Sequence, residues 1–368
     1  MKILFFIRSL QAGGAERVLV TIANELARRG HHITVATTTA LPIAYEVSPS
    51  VKLTDILRGK NYKANKIRTA CRLFYNIRSI TKTEKPDVVV SFLSGMNKYV
   101  IMTLYFSQYP VIACEHTTFN KPSQRYSLAQ YIIRWQINKL ADKVTVLTEY
   151  DKHYVGNRIK NTVVMPNPLS FDAITEELFI NTDSKRRNIL VCGSLDRHVN
   201  KGFDEMISKY RMIADKYPNC DLDILGGGKK ENFDQLKGLI QENNLVDRVH
   251  LLGYSKNVSE EMLRHKYFVL CSKTEGMPMA LMEAMAMGCA CISFDCISGP
   301  SEIINDGEDG ILVEDQNFDA LLQQLSNLIE NDRKRQTMAL KAIHNIQQFS
   351  LEKIGDKWEA LLREVERH

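Results

Sequence analysis

The sequence lacks any apolar run near the roughly 18 residues that a membrane-spanning helix needs, which excludes such a helix. Its opening stretch, MKILFFIRSL, is interrupted by Arg8 and predicts a first strand, not a secretory signal. Low-complexity, collagen-like and repeated segments are also missing, which excludes disordered chains and repeat arrays. With 368 residues, 44% hydrophobic and 25% charged, the chain is expected to form two globular domains.

Cysteine pairs of the CxxC type are absent, although the chain has eight cysteines. Cys289, Cys291 and Cys296 lie close in sequence but have neither metal-site spacing nor a neighbouring histidine. Most of the cysteines fall in apolar, strand-like runs such as ILVCGS and YFVLCSK. The sequence therefore predicts reduced core cysteines in a cytoplasmic protein, and neither disulfides nor a zinc site.

Acidic residues are scarce in the first half of the chain. Residues 1–168 hold 24 Lys and Arg against 10 Asp and Glu, a net charge of +14, whereas the remainder carries −9. This asymmetry predicts an anionic partner for the first half, which leaves a membrane surface, a nucleic acid and a phosphorylated substrate open. Nucleic acid has the least support, because no nucleic-acid motif or basic–aromatic platform accompanies the charge.

Short apolar runs alternate with helical patterns along the whole chain. The candidate strands are KILFFI, HITVAT, VKLTDI, DVVVSFL, VIACEH, KVTVLT and TVVMPN in the first half, and NILVCGS, CDLDILG, RVHLLGY, YFVLCS, ACISFD and GILVE in the second. Runs rich in Val and Ile without polar alternation predict parallel strands buried on both faces and covered by helices. The predicted fold class is α/β, with two doubly wound domains and a boundary in the proline-containing segment 166–187. Three helices are predicted after the last strand, at 316–331, 333–347 and 350–367.

Two short motifs follow strands of the first half. Gly13 and Gly14 precede a helix, where glycine lets a ligand approach the backbone and the helix N-terminus attracts an anion. The pattern is not GxGxxG and no acidic residue closes the next strand, which argues against a dinucleotide. Glu115 and His116 end another strand, at the edge where open parallel sheets form ligand crevices. A tight turn accounts for Gly13 and Gly14 as well as a ligand contact does. A polar end of a strand likewise accounts for Glu115 and His116.

Two loops of the second half also follow predicted strands. Segment 193–202 places Arg197 and Lys201 in a glycine-bounded strand-to-helix loop, whose charges suit either a diphosphate or solvent. Segment 298–310, with the sequence SGPSEIINDGEDG, opens a further helix at the same edge. It is either a loop that lines a ligand or a plain turn.

The most specific motif holds Glu275 and Glu283, with seven residues between them, across the start of helix MPMALMEAMAMG. Glu283 lies on the same side as Met279 and Ala280, so it can accept hydrogen bonds from vicinal ribose hydroxyls while the helix start holds the phosphates. Glu275 would then reach a hydroxyl further along the ligand. The alternatives are core packing for the methionines and solvated carboxylates for the two glutamates.

Together these motifs, GGAER, EH, GSLDRHVNKGF, EGMPMALMEAMAMG and GPSEIINDGEDGILV, resemble glycosyltransferase family 4 over nearly the full chain. That family contains retaining nucleotide-sugar transferases of the GT-B fold, and the most similar subgroup is bacterial enzymes of surface-polysaccharide and lipid-linked oligosaccharide assembly. The resemblance implies two Rossmann-like domains that face a central cleft, 1–168 for the acceptor and 188–349 for the nucleotide-sugar. The helix at 350–368 is expected to pack back towards the first domain.

The resemblance also assigns roles to the residues that match the family motifs. Glu283 would bind the ribose, Glu275 the donor sugar and Lys201 the diphosphate. The candidate catalytic residues are His116, Glu275, Lys201 and Arg197, and the candidate donor-binding residues are Gly13, Gly14, Gly193, Ser194, Gly276, Met279, Ala280, Leu281 and Glu283. Many relatives have arginine where this chain has Ser194, so Arg197 is the alternative source of that cation.

A mechanism follows from the same resemblance. The acceptor hydroxyl would attack from the side that the diphosphate leaves, with retention and without an Asp or Glu nucleophile. No metal or cofactor is expected, because cations and helix N-termini would stabilise the departing diphosphate. Asp221-Leu222-Asp223 has the letters of a metal-binding motif but opens a strand, so we predict a structural role.

The expected partners are a nucleotide-sugar, with UDP favoured, a glycan or lipid-linked glycan acceptor, and an anionic membrane surface, but no nucleic acid. Segment 57–85 carries nine Lys and Arg against one Glu, which are Arg58, Lys60, Lys63, Lys66, Arg68, Arg72, Arg78, Lys82, Lys85 and Glu84. Its apolar stripe, formed by Ile67, Cys71, Leu73, Phe74 and Ile77, either packs on the sheet or lies on a membrane without spanning it. The protein is therefore expected in the cytoplasm, peripheral on the inner face of the membrane.

Two other functions remain open at this stage. One is a non-catalytic nucleotide-sugar-binding partner in a polysaccharide assembly complex. The other is a different Rossmann-type nucleotide-sugar enzyme, such as an epimerase. The missing GxGxxG pattern argues against the second, and the complete set of Glu275, Glu283, Lys201 and His116 argues against the first.

Overall fold

The computed structural model describes residues 1–57, 66–120, 127, 131–183 and 188–366. The chain divides into two compact units, which are Met1–Ser170 with Leu351–His368 (unit 1) and Phe171–Ser350 (unit 2). Each unit is built on its own fully parallel sheet. None of the helices in the described ranges combines the length and the apolarity that crossing a membrane requires.

Unit 1 contains a seven-stranded sheet in the order β3-β2-β1-β4-β5-β6-β7. Its strands are β1 (Lys2–Phe6), β2 (His32–Thr37), β3 (Val51–Asp55), β4 (Val88–Phe92), β5 (Val111–Cys114), β6 (Lys143–Val146) and β7 (Thr162–Val164). Its first helices are α1 (Gly14–Arg28), α2 (Lys66–Glu84), α3 (Ser94–Leu104) and α4 (Glu149–Val155), with a π-helical turn at Ile132–Ile137 and 3₁₀ turns at Asn138–Leu140 and Gly156–Arg158. All five residues of β4 are buried, as its unbroken VVVSF run predicts for a central parallel strand.

Unit 2 contains a six-stranded sheet in the order β10-β9-β8-β11-β12-β13. Its strands are β8 (Asn188–Cys192), β9 (Leu222–Leu225), β10 (Val249–Gly253), β11 (His265–Leu270), β12 (Ala290–Phe294) and β13 (Ile311–Val313). Its helices are α5 (Glu176–Asp183), α6 (His198–Lys201), α7 (Phe203–Lys209), α8 (Arg211–Lys216), α9 (Lys230–Glu242), α10 (Val258–Leu263), α11 (Met279–Ala286), α12 (Phe318–Glu330) and α13 (Asp332–Asn345), with 3₁₀ turns at Leu195–Arg197, Pro300–Glu302 and Ile346–Phe349. These strands and those of unit 1 confirm the thirteen sequence predictions and the α/β class.

The last helix, α14 (Leu351–Val365), belongs to unit 1. One face of it is buried and consists of Ile354, Trp358, Leu361, Leu362 and Val365, at the spacing of successive helical turns. Arg29, the C-cap residue of α1, donates hydrogen bonds to the carboxylates of Asp356 at 2.6 Å and Glu359 at 3.2 Å. Unit 1 is therefore completed by a segment that follows all of unit 2 in sequence.

In both sheets the strand order reverses between two neighbouring central strands. These are β1 and β4 in unit 1, and β8 and β11 in unit 2. In open α/β sheets a ligand crevice forms outside the carboxyl ends of the strands at such a switch point. A ligand site is therefore expected at the loops that follow these four strands.

Candidate functional site

In unit 2, an ion pair spans the switch point of the sheet. Lys201, the last residue of the short helix α6 in the connection that follows β8, places its Nζ atom 2.7 Å from Oε1 of Glu275, in the loop after β11. Both side chains are mostly buried, and the backbone amide of Lys273 also donates to the carbonyl oxygen of Asn200 at 2.8 Å. The third and fourth sequence motifs therefore meet, and they present one cation and one carboxylate side by side.

Close backbone contacts between these loops depend on glycine. Gly202 has a positive φ of 71°, and a Cβ there would lie 2.1 Å from the carbonyl oxygen of Cys271. A Cβ at Gly193 would lie 2.9 Å from the stem of Lys201. A Cβ at Gly226, in the loop after β9, would lie 1.8 Å from the carbonyl oxygen of Gly193. The glycines thus let three loops approach each other beneath the Lys201 side chain.

Helix α11 begins at the same edge of the sheet. Met279 and Ala280 are half-buried and, as the first residues of the helix, have no intrahelical acceptor for their N–H groups, whereas the Leu281 amide donates to Pro278 at 3.1 Å. Glu283 lies one turn further along and is 3% exposed. The next loop packs against this helix start, because a Cβ at Gly299 would lie 2.4 Å from the carbonyl oxygen of Gly276.

Arg197 and Ser194 occupy the outer part of the loop after β8. Both side chains are exposed, and Arg197 forms no ion pair with any residue in the described ranges. Between them in sequence, Asp196 accepts hydrogen bonds from the Lys229 amide at 2.6 Å and from the Asn232 side chain at 2.8 Å. The Lys229 amide, the larger cause, and the Asn232 bond lower the pKa of Asp196. Sequence reasoning missed this contact, although the run LGGGKK after β9 was a visible signal.

In unit 1, the Gly13–Gly14 turn is fastened by a tyrosine. The Tyr45 hydroxyl donates to the carbonyl oxygen of Gly13 and accepts from its amide, both at 2.8 Å. Gly13 is the N-cap of α1, and Gly14 is its first, exposed residue. Tyr45 lies in the loop after β2, and the sequence held no signal that would connect it to this turn.

His116 lies in the loop after β5 and is half-buried. Its ring stacks on Phe92 of β4, with centroids 4.7 Å apart, and its Nε2 atom is buried without a hydrogen-bond partner among the described residues. Burial, opposed only by a hydrogen bond with Asn167, lowers the pKa of His116 to about 4. The imidazole is therefore neutral at neutral pH.

The Asp221-Leu222-Asp223 segment lies at the amino end of β9, the opposite edge of the sheet from Lys201. Asp221 accepts a hydrogen bond from Arg248 at 2.7 Å, and Asp223 pairs with His265 at 2.8 Å. In the part of the chain that the structure describes, no group of three or more His, Cys, Asp or Glu side chains could hold a metal ion.

Helix α2 carries the basic segment of the sequence. Leu73 and Ile77 are buried, but Ile67, at the beginning of the predicted stripe, is 71% exposed, and Cys71 is exposed as well. The rings of Phe74 and Tyr99 of α3 lie 5.5 Å apart, so the two helices are neighbours. Exposed residues on their surfaces are Arg68, Tyr75, Arg78 and Lys82 on α2, and Met102, Tyr105 and Phe106 at the end of α3. Arg58, Lys60 and Lys63 lie outside the described residues.

Comparisons with known proteins agree over the full chain. Residues 12–172 match the family model described as Glycosyltransferase Family 4, and residues 174–345 match the one described as Glycosyl transferases group 1. A relative from Campylobacter jejuni is 28% identical over 99% of this chain and 99% of its own length. Its name is GalNAc-alpha-(1->4)-GalNAc-alpha-(1->3)-diNAcBac-PP-undecaprenol alpha-1,4-N-acetyl-D-galactosaminyltransferase.

Two solved structures are similar over almost all of both chains. Sucrose-phosphate synthase from Thermosynechococcus elongatus has a TM-score of 0.83 and 18% identity, and the match covers 99% of this chain and 98% of that one. HepE from Anabaena, in complex with UDP, has a TM-score of 0.78 and 17% identity, with 99% and 100% covered. At such identities these two likenesses support the fold alone.

Proposed function

The chain belongs to glycosyltransferase family 4 and has the GT-B fold, and on that premise we propose which donor, acceptor and mechanism it uses. The proposed reaction transfers a hexosyl or N-acetylhexosaminyl group, with retention, from a UDP-sugar to a glycan on a lipid diphosphate. The Lys201–Glu275 pair carries this proposal, because it sets a cation and a carboxylate together at the switch point of unit 2. A UDP-sugar offers the complementary groups, a diphosphate next to sugar hydroxyls.

The donor contacts follow from this placement. Lys201 faces the diphosphate, and Glu275 accepts hydrogen bonds from a hydroxyl of the donor sugar. The amides of Met279 and Ala280, at the positive end of α11, add donors for the phosphate oxygens. Glu283 accepts hydrogen bonds from the ribose. We propose UDP as the nucleotide, the one that the HepE structure of the same fold contains.

The proposed chemistry needs charge stabilisation more than a nucleophile. The acceptor oxygen bonds to the anomeric carbon as the bond from that carbon to the diphosphate breaks on the same face. The departing phosphate oxygen takes the proton of the acceptor hydroxyl. Lys201, Arg197 and the first amides of α11 stabilise the diphosphate, so this scheme includes no divalent ion. His116, neutral and stacked on Phe92, contacts the reacting sugar.

The proposed acceptor is a glycan linked to a lipid through a diphosphate. The name of the Campylobacter jejuni relative specifies an acceptor of this chemistry. The first half of the chain, with its net charge of +14, has the sign that binding a diphosphate or an anionic lipid surface requires. We place the contact with the inner face of the membrane on α2 and the end of α3, where Arg68, Arg78 and the 97% exposed Phe106 combine positive charge with an apolar side chain.

A donor screen tests the reaction. The protein is incubated with single UDP-sugars and a short lipid-diphosphate sugar, and both free UDP and the product are measured. We expect UDP release that depends on the acceptor, persists in excess EDTA, and gives a product whose anomeric proton coupling matches that of the donor. Epimerised donor without transfer, or tight UDP binding without turnover of any donor, contradicts the proposal. Activity lost in EDTA and restored by Mg²⁺ or Mn²⁺ contradicts its metal-free part.

Vesicle co-sedimentation tests the membrane contact. We expect the protein to bind vesicles with anionic lipid more than neutral ones, and less so at high salt. The changes Arg68→Glu with Arg78→Glu, and Phe106→Ser, should each weaken binding. Ile180→Ser in unit 2 removes another exposed apolar side chain (62% exposed) and should leave binding unchanged. Equal binding to both vesicle types contradicts the membrane contact.

A further inference from the structure

A buried charged residue directly precedes His116. Glu115 is 2% exposed, and its carboxylate accepts hydrogen bonds from Ser94 at 2.7 Å, Asn138 at 3.0 Å and Asn97 at 3.2 Å. Arg134, from the π-helical turn Ile132–Ile137, completes the set with an ion pair at 3.4 Å. Three elements therefore direct polar side chains at a single carboxylate at the end of β5.

Arg134 also holds the loop on the other side of His116. Its guanidinium donates to the carbonyl oxygens of Thr117 at 2.9 Å and Thr118 at 3.0 Å, and its Cζ atom lies 4.2 Å from the centroid of the Phe119 ring. The same side chain thus contacts residues 115, 117, 118 and 119, and itself is 5% exposed. The backbone of His116 is fixed from both sides by one cation.

A strained residue and a second carboxylate also hold the loop that follows β5. Leu93, at the end of β4, has a positive φ of 72°, which is strained for a residue with a side chain and places Ser94 against Glu115. Asp151 of α4 accepts from the Thr118 hydroxyl at 2.8 Å and from the Phe119 amide at 2.7 Å. Backbone strain next to a buried ionic network is typical of a functional site, where conformation matters more than stability.

Burying a carboxylate and a guanidinium rarely adds net stability, because both lose their hydration. Such a pair can instead impose one conformation on the chain around it. We infer that Glu115 and Arg134 are positioning residues, which hold His116 at the geometry that sugar transfer requires. This inference rests on the proposed function, in which His116 contacts the reacting sugar. The comparisons with known proteins give neither residue a role, and this inference assigns one to both.

Steady-state kinetics provide the first test. Arg134→Met and Glu115→Gln keep side-chain volume but remove the charge pair, and Arg134→Lys keeps the charge. We expect kcat to fall about 10- to 100-fold in the first two, since small displacements of catalytic groups have effects of that size. KM for the UDP-sugar should change less than kcat, because the proposed contacts with the diphosphate and the ribose lie in unit 2. Arg134→Lys should recover part of kcat.

Chemical modification provides a test that does not depend on activity. Diethyl pyrocarbonate acylates accessible neutral imidazole nitrogens, and mass spectrometry gives a rate for each histidine. His116, whose Nε2 is buried, should react slowly in the native chain, with exposed His344 as the internal reference. In Arg134→Met and Glu115→Gln its rate should rise several-fold.

Arg248 supplies a matched control. It pairs with Asp221 at 2.7 Å and donates to the carbonyl oxygens of Ala214, Tyr217 and Cys220. It lies in unit 2, at the edge of the sheet opposite Lys201. Arg248→Met should lower the melting temperature without changing kcat or the His116 rate.

Unchanged kcat and unchanged His116 reactivity in both charge-removing variants overturn the inference. So does loss of cooperative melting in both, since the pair would then maintain the whole unit. If native protein releases no UDP from any donor but the modification rates change as expected, the proposed function fails and the positioning role stands.

Discussion

The proposed donor site depends most on Lys201. Its ammonium group is already oriented by Glu275, so binding a diphosphate requires little reorganisation. Lys201→Ala and Glu283→Gln should each lower kcat/KM by about 100-fold or more, in line with the loss of one preorganised electrostatic contact. The measurement is transfer to the lipid-diphosphate acceptor, with melting curves to confirm folding.

Lys209 gives the matched control for that prediction. It also forms a lysine–carboxylate pair in unit 2, with Asp319 at 2.8 Å, but on the surface of α7. Lys209→Ala should keep native kcat/KM. Folded Lys201→Ala and Glu283→Gln variants with native kcat/KM would show that the donor site is elsewhere.

His116 makes a prediction about pH. Burial lowers its pKa to about 4, below the value of roughly 6.5 in an unfolded chain. As pH falls between these values, the unfolded chain binds a proton that the folded chain does not. The contribution of His116 to stability is therefore fully present above about pH 6.5 and declines towards pH 4, by up to about 1.4 kcal/mol per pH unit.

Urea unfolding of unit 1 at several pH values measures this slope. His116→Asn should make the free energy of unfolding less dependent on pH in that range, whereas exposed His344→Asn should not. Equal slopes for the native chain and His116→Asn contradict a buried neutral imidazole.

Single residues also show where sequence reasoning ends. Glu275 and Lys201 could be proposed together because both follow strands, and the carboxyl ends of parallel strands share one edge. Arg134 could not, because it stands in the apolar run YIIRWQI, and only the folded chain brings it to Glu115. Tyr45 is a similar case, since its bond to Gly13 crosses 32 positions of sequence without any motif.

Among the elements, the strands were the most predictable from sequence. Thirteen apolar runs became thirteen strands, and the pattern is clearest in a central strand such as β4, because burial on both faces requires an unbroken apolar run. Helix faces were less predictable. Ile67 and Cys71 share the spacing of Leu73 and Ile77 yet are exposed, because the core of unit 1 includes Leu73, Ile77 and Ile80 but not the first turns of α2. Periodicity shows that a helix has an apolar face, but not how much of that face the core covers.

The loop between β8 and α7 yields a prediction at this scale. Gly202 combines a φ of 71° with a 2.1 Å approach to the Cys271 carbonyl oxygen, so an added Cβ must displace the loop. Gly202→Ala should destabilise unit 2 by about 1–3 kcal/mol and lower kcat/KM, because Lys201 moves with the loop. Gly238 of α9 has open space around it, and Gly238→Ala should stabilise the helix by about 0.5–1 kcal/mol. Denaturant unfolding measures the stability of both variants, and transfer assays measure their kcat/KM. A Gly202→Ala variant with native stability and native kcat/KM refutes the packing argument.

At the scale of the whole molecule, the chain leaves unit 1 at Ser170 and returns to it at Leu351. The returning helix buries Trp358 and Leu362, and Arg29 adds hydrogen bonds to Asp356 and to the Glu352 carbonyl oxygen at 2.6 Å and 2.7 Å. Two consequences follow. Residues 171–350 contain every strand and helix of unit 2, whereas residues 1–170 lack one helix of unit 1 and leave its docking surface uncovered.

Three fragments test this division. Residues 171–350 alone should melt cooperatively and bind UDP, because Lys201, Met279, Ala280 and Glu283 lie within them. Residues 1–170 alone should be poorly folded, and joining them to residues 351–368 through a flexible Gly/Ser linker should restore a cooperative transition. In that joined fragment Trp358→Ala should cost about 3–5 kcal/mol, the usual effect of truncating a buried aromatic residue. If residues 1–170 melt at the same temperature with and without the helix, the buried face of α14 contributes nothing to the stability of unit 1. In that case α14 is not part of the folding unit.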